Sequence, residues 1–326
     1  MSKKEPQRLV AGVDLGGTNI QFGIVDANGS ILGRSKGKTN PDQGLDAILD
    51  RIVSGIETAA NNAGHELMDL DAVGIGVPGP VDPATGVVHE AVNLRWTQTP
   101  IGDLLTERLG LPVVVDNDVN VAVYGEARHG AGIGSRHLLG VWVGTGVGGG
   151  FVLDGRLYYG HHFSAGEIGH VLLYPGNPPG QRTVENICSR SALADRIIQL
   201  IRSNRSSMIP EIAGERWPRI KSKTIAEAYK KEDELTVEVV NDAADRLGIA
   251  LGNITTLLSL DRIILGGGLT EALQDPFVER VRTAVQRTAF PAIAKQVEVV
   301  ASQLDDDAGV IGAALLAVER LAPENE

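Results

Sequence analysis

The chain writes one supersecondary plan twice. Leu9–Asp14 is a short apolar run closed by Gly16-Gly17, Ile20–Asp26 is a second, and Asn28-Gly29 separates it from Ile31-Leu32. This spacing predicts strand, glycine turn, strand, hairpin, strand. The same order returns at Leu138–Val143, Gly144-Thr145-Gly146, Gly149–Leu153, a turn at Asp154-Gly155, and Leu157-Tyr158-Tyr159. Two copies about half a chain apart predict two related α/β lobes facing each other across a ligand cleft. Ala47–Ala60 and Val237–Leu258 carry apolar residues at helical spacing, and Ala72–Val77 and Arg262–Leu265 follow them as short apolar runs. Alternation of this kind predicts largely parallel sheets covered by helices.

With 326 residues, 43% hydrophobic and 22% charged, the chain has material for about two domains. The expected division is a polar tail over 1–8, a first lobe over 9–125, a second over 126–306, and a C-terminal helix over 307–326 packing back on the first lobe. Ser203–Lys231, broken by Pro210, Gly214 and Pro218, is expected as a surface excursion. A net charge of −11, with no basic run beyond Lys36–Lys38 and Lys221–Lys223, argues against nucleic acid as a partner. The single Cys188 allows no internal disulfide, so the cytoplasm is the expected compartment. Met1–Arg8 lacks the apolar core of a secretory signal. No stretch reaches the roughly 18 apolar residues of a membrane span.

Three glycine turns are candidate ligand cradles. Asp14-Leu15-Gly16-Gly17-Thr18-Asn19 puts an acid at a strand end, then residues that admit a ligand to the backbone, then a hydroxyl and an amide. Asp14 suits Mg²⁺ held through water. A plain hairpin turn has the same signature. Gly144-Thr145-Gly146-Val147-Gly148-Gly149-Gly150 contains G-x-G-x-x-G, but it feeds a strand rather than a helix, which excludes a dinucleotide fold. A glycine hairpin loop over phosphates remains good kinase chemistry. No G-x-x-x-x-G-K-[ST] P-loop is present. Gly266-Gly267-Gly268 suits a flat ligand against bare backbone, although a simple strand-to-helix turn reads the same way.

Polar residues gather elsewhere. The apolar strand Val113–Val115 stops at Asp116-Asn117-Asp118, ahead of the helical Val119–Glu126. Two carboxylates and an amide at one strand end exceed what capping a helix requires, and a carboxylate there can take the proton of an attacking hydroxyl. Glu167, His170 and Glu185 suit a hydroxyl-rich ligand, although a solvated surface position explains each equally well. His161-His162 reads as loop.

Taken in order, these residues resemble the ROK family of bacterial glucokinases, fructokinases, N-acetylmannosamine kinases and sugar-responsive repressors. The likeness runs through Asp14–Thr18, Gly76-Val77-Pro78-Gly79-Pro80, Asn93-Leu94, Asn117-Asp118, Gly144–Gly150, Gly166–His170, Gly266–Gly268 and Gly309–Ala314. It implies the two-lobed actin/hexokinase-like, ribonuclease H-like ATPase fold, and phosphorylation of a hexose by ATP with Mg²⁺. Glucose is the first expected acceptor; N-acetylmannosamine and fructose follow. It implies Asp118 as base. The donor would be held by Asp14, Gly16, Gly17, Thr18, Asn19, Gly144, Thr145, Gly146, Gly148, Gly149, Gly266, Gly267 and Gly268. The sugar would be held by Gly79, Asn117, Asp118, Glu167, His170 and Glu185. A homodimer or larger homo-oligomer is the family's common state.

The chain departs from the family in one place. Many members bind zinc through the histidine of Glu-x-Gly-His and a C-x-C-G-x-x-G-C segment, whereas Tyr174–Thr183 reads YPGNPPGQRT, so no zinc is expected. Asp116 stands where relatives usually carry Glu, a change expected to matter little. Two other readings compete with a kinase. A sugar-sensing repressor is disfavoured by the acidic charge and by the eight residues ahead of the first strand. A silent sugar-binding protein is disfavoured by the presence of Asp14, Asp118 and both phosphate turns.

Overall fold

The first apolar run is strand β1 (Leu9–Leu15) in the computed structural model, which describes residues 8–322. The tail expected over 1–8 thus falls, apart from Arg8, outside the described residues, as do positions 323–326 of the C-terminal segment. β2 (Asn19–Asp26) and β3 (Ile31–Lys38) pair antiparallel in series with β1. Helix α1 (Leu45–Asn62) leads to β4 (Ala72–Val77), which pairs parallel with β1. All six residues of β4 are buried, as a strand flanked on both sides and covered on both faces requires. β5 (Val81–Asp82), β6 (Val87–Ala91) and β7 (Trp96–Thr99) form a small antiparallel sheet. Helix α2 (Ile101–Leu109) precedes β8 (Val113–Asn117), parallel to β4, and helix α3 (Asp118–His129) follows at once. The main sheet order is β3-β2-β1-β4-β8.

The second half repeats it. β9 (Leu138–Val143), β10 (Val147–Leu153) and β11 (Arg156–Tyr158) form the antiparallel series. Helices α4 (Val184–Cys188), α5 (Arg190–Arg202), α6 (Ile209–Ala213), α7 (Ser222–Lys230) and α8 (Glu234–Leu258) come next. β12 (Arg262–Gly266) pairs parallel with β9; helices α9 (Gly268–Leu273) and α10 (Asp275–Thr288) lead to β13 (Glu298–Ala301), parallel to β12. The order β11-β10-β9-β12-β13 matches the first sheet strand for strand. Helix α11 (Ala308–Arg320) ends the described fold.

Two units result: 1–133 with 159–164 and 306–326, and 134–158 with 165–305. The division falls later than 125 because α3 runs unbroken to His129 and its Gly125 lies against Gly312 of α11. Strand alternation explains the layers of the first unit. Leu9, Ala11, Val13 and Leu15 share a core with Ile48, Ile52 and Ile56 of α1. Val10 packs with Val310, Ala314 and Ala317 of α11 on the other face. On that face Gly12 and Gly74 have a specific cause: a Cβ would stand 2.0 Å from the Val310 carbonyl oxygen and 1.9 Å from that of Ala313. Only bare backbone lets the helix approach so near.

Residues 203–231 are not a surface excursion. They carry α6 and α7, and Ile209, Ile220, Ile225 and Ala228 are buried in the second unit's core. Two buried residues on a nine-residue polar helix are too few for the period to show in sequence. Among the described residues no helix is long and apolar enough to cross a membrane.

Candidate active site

In the first unit the sequence-selected residues converge on the C-terminal edge of the parallel strands, where open α/β sheets receive ligands. Asp14 ends β1, Gly79 follows β4, and Asn117 and Asp118 join β8 to α3. Asp14 shares a strand face with Val10 and Gly12, and its Cγ lies 2.9 Å from where a Cβ on Gly309 would stand. Burial first, then the charges of Asp118 and Asp306, push its carboxyl up to about 7, with Lys36 opposing. The turn beside it is closed by Gly16 N–H donating to the Asn19 carbonyl at 2.9 Å and by Thr39 Oγ1 donating to the Gly16 carbonyl at 2.6 Å.

Asn117 serves structure on both sides of its amide. Its Oδ1 accepts from Val119 N and Asn120 N at 2.9 and 3.1 Å, capping α3, while its Nδ2 donates to the Gly79 carbonyl at 3.1 Å. Gly79 needs its missing side chain: at φ 93°, a Cβ would stand 1.9 Å from the Glu90 carbonyl oxygen. Asp118 opens the helix, with Oδ1 accepting from Val119 N at 2.9 Å.

Asp116 carries more than the sequence suggests. It is 1% exposed, and its carboxylate accepts from Asn117 N, Asn120 Nδ2, Tyr159 OH and Arg320 Nη2 at 2.7, 3.1, 2.7 and 2.5 Å. Arg320 Nη2 also donates to the Tyr159 hydroxyl. Burial, followed by the Asp116 charge, drives the Tyr159 hydroxyl well above its ordinary pKa. Nothing in sequence marks Tyr159 or Arg320, because neither lies in a motif and their partner Asp116 is 43 and 204 residues distant.

The second unit uses the same edge. The turn after β9 is confined to Gly144–Gly146, with Gly144 N–H donating to the Gly146 carbonyl at 2.9 Å. The strand expected from Gly149 begins two residues earlier, at Val147, so Gly148 as well as Gly149 is a ladder residue of β10, opposite Trp142 and Val141 respectively. Gly149 is bare because the Gly166 carbonyl oxygen and Ile168 pack on it. Gly266 ends β12, Gly267 turns at φ 85°, and Gly268 starts α9. Glu185 Oε2 accepts from Val147 N at 2.9 Å, so the carboxylate expected on the sugar lies beside the Gly144–Gly146 turn. Glu167 and His170 stand on one exposed turn, 3.8 Å apart, while Ile168 and Gly169 between them are buried. His161 and His162 are loop residues in edge contact.

A family model described as the ROK family matches residues 10–320. The chain belongs to the ROK family. It is 32% identical over 310 residues to a glucokinase of Halalkalibacterium halodurans, covering 94% of this chain and 93% of that one. It is 25% identical to the xylose repressor of Caldicellulosiruptor bescii, covering 93% of this chain and 76% of that protein. Among solved structures, a ROK family glucokinase from Streptomyces griseus in complex with glucose and AMPPNP superposes with a TM-score of 0.82 at 33% identity, over 95% of this chain and 99% of that one. The fold is therefore the two-lobed actin/hexokinase-like fold of ROK hexokinases.

Within the ROK family the segment that many members tie with zinc is here a hydrogen-bonded hairpin. Leu173 N and Tyr174 N donate to the Arg182 carbonyl at 2.8 and 3.1 Å, and Val184 N to that of Val171 at 3.0 Å. Arg182 Nε donates to the Asn177 carbonyl, and the Arg246 guanidinium lies 5.5 Å over the Tyr174 ring. Thr183 and Asn186 close a capping box that starts α4 one residue before Glu185. Cys188 is fully buried and its thiol is pushed up to about 12, chiefly by burial, so it is a core residue.

Proposed function

We propose that this chain is an ATP-dependent sugar kinase with Asp118 as its base and glucose as its first acceptor. One observation carries the reading: Asp14 and Asp118, at the C-terminal ends of parallel strands in one sheet, are near enough for the Asp118 charge to raise the Asp14 carboxyl. Paired carboxylates at such an edge suit a reaction in which one takes a hydroxyl proton and the other faces a cation.

The residues present fit Mg²⁺. Asp14 is one carboxylate on a glycine turn in an excess of negative charge from Asp118 and Asp306, and Mg²⁺ takes one or two carboxylates, substrate phosphates and several waters. Bound there, the ion would neutralise charge on the transferring phosphate. Asp118 would orient the acceptor hydroxyl and take its proton as the oxygen bonds to the γ-phosphorus, the bond to the β,γ-bridging oxygen breaks and ADP leaves. The cap on Val119 and Asn120 fixes the backbone from which Asp118 projects, so positioning supplies most of the rate, as phosphoryl transfer generally requires. Gly79, Asn117, Glu167, His170 and Glu185 would hold the sugar. The glycine turns would hold the nucleotide. Glucokinase relatives that match over nearly their whole length support this reading.

The test is ADP release with MgATP against glucose, N-acetylmannosamine, N-acetylglucosamine, mannose, fructose and allose. Turnover highest on glucose and lost in Asp118→Asn is the expected result. Turnover highest on another sugar would keep the kinase and replace its acceptor. Tight sugar binding without turnover would favour a regulator such as the xylose repressor relative.

A further inference from the structure

Every side chain assigned to the phosphoryl donor is neutral or acidic: Asp14, Thr18, Asn19 and Thr145, beside glycines. Glu185 adds a carboxylate to the Val147 N–H of the second turn. A phosphate entering either turn meets negative charge there, and hydrogen bonds from ionised donors are the strong ones that could offset it.

Each turn has a cation on its polar side chain. In the second unit Arg190 opens α5; its N–H donates to the Gly144 carbonyl at 2.9 Å, and its guanidinium donates from Nη2 to Thr145 Oγ1 at 2.9 Å and from Nη1 to the Ile220 carbonyl at 3.2 Å. In the first unit Lys38, facing Asn19 across the β2–β3 ladder, donates from Nζ to Asn19 Oδ1 at 2.7 Å. Many other arginines take carboxylates, as Arg280 does Asp245 and Arg262 does Glu298, although Arg51 and Arg182 also rest on carbonyl oxygens. Arg190 and Lys38 instead rest on uncharged oxygens, and among the described residues neither forms an ion pair. A guanidinium offers five donors and an ammonium three, so both retain N–H groups for phosphate oxygens.

We propose that Arg190 binds donor phosphate at the Gly144–Gly146 turn and, independently within its own unit, that Lys38 does so at Thr18-Asn19. The proposal rests on the kinase reading and adds to it the positive charge that the motif residues lack.

The experiment is calorimetric binding of MgATP to the full chain, with Arg190→Gln and Lys38→Gln beside the wild type. Losing one charge-assisted contact should weaken the MgATP Kd about tenfold in each variant and flatten its dependence on salt. Sugar affinity measured without nucleotide should stay within about twofold, and Arg190→Lys should recover part of the loss, which a folding defect would not allow. An unchanged MgATP Kd in both variants overturns the proposal; in one, it removes that residue. Wild-type protein that binds MgATP but turns over no sugar sinks the kinase reading, while the same two variants still decide this proposal.

Discussion

Arg320, the last residue of α11, donates to the buried carboxylate of Asp116 at 2.5 Å, across 204 positions of sequence. Asp116 is two residues before the proposed base, so the C-terminal helix is fastened to the strand end that presents Asp118. Removing one partner of a buried pair leaves the other charge stranded. Arg320→Ala should therefore cost about 3 kcal/mol, and Tyr159→Phe about 1 kcal/mol, read as urea midpoints. The double variant should lose less than the sum, because the two groups share one network. An Arg320→Ala midpoint equal to wild type would remove the latch.

Asp118→Asn keeps the shape and the bond to Val119 N while removing the base. Turnover should fall by a factor on the order of 10² to 10⁴, with the melting temperature held and sugar affinity within several-fold. Near-normal turnover would take Asp118 out of its role.

Asp14 makes stability depend on pH. Its carboxyl is raised to about 7 in the fold against an ordinary 3.8, so between these values the folded state holds a proton that the unfolded chain has lost. Stability should then fall as pH rises from about 4 to about 7 and level off above. Asp14→Asn removes that fall: the variant should match wild type near pH 4 and exceed it by up to a few kcal/mol at pH 8. Equal denaturation midpoints at pH 8 would show that Asp118, Asp306 and burial do not act on Asp14 as described.

The 171–184 hairpin is held by Arg182, Asn177 and the Tyr174–Arg246 contact. Prolonged dialysis against a chelator should leave the melting temperature within about 1 °C of untreated protein. Arg246→Ala should lower stability by about 0.5–1 kcal/mol through the lost cation–π contact. A large chelator-induced drop would mean that a metal, not this hydrogen bonding, secures the segment that carries Glu185.

Local chemistry makes much of this protein legible in its sequence. The repeated glycine-turn unit announces two sheets of one plan, because strand periodicity and turn residues are written in adjacent positions. The acids Asp14 and Asp118 are legible for the same reason, as Asp14 closes an apolar run and Asp118 follows one three residues on. Other parts are hidden from the sequence where the deciding neighbour is remote. Gly148 looks like loop in a glycine run, but the facing strand makes it a ladder residue. The buried face of α7 was hidden by its shortness.

What the sequence by itself determined is the inventory: two duplicated α/β sheets, three glycine turns, and carboxylates at strand ends. Tertiary structure alone decided how that inventory is held and charged. Asp116 acquires Tyr159 and Arg320, Glu185 lands on Val147, and Arg190 lands on Thr145. The physical reason is range. Propensity and turn chemistry act between neighbours in the chain, whereas a buried charge is satisfied by whatever the packed layers bring within about 3 Å, and no local pattern records which distant residue that will be.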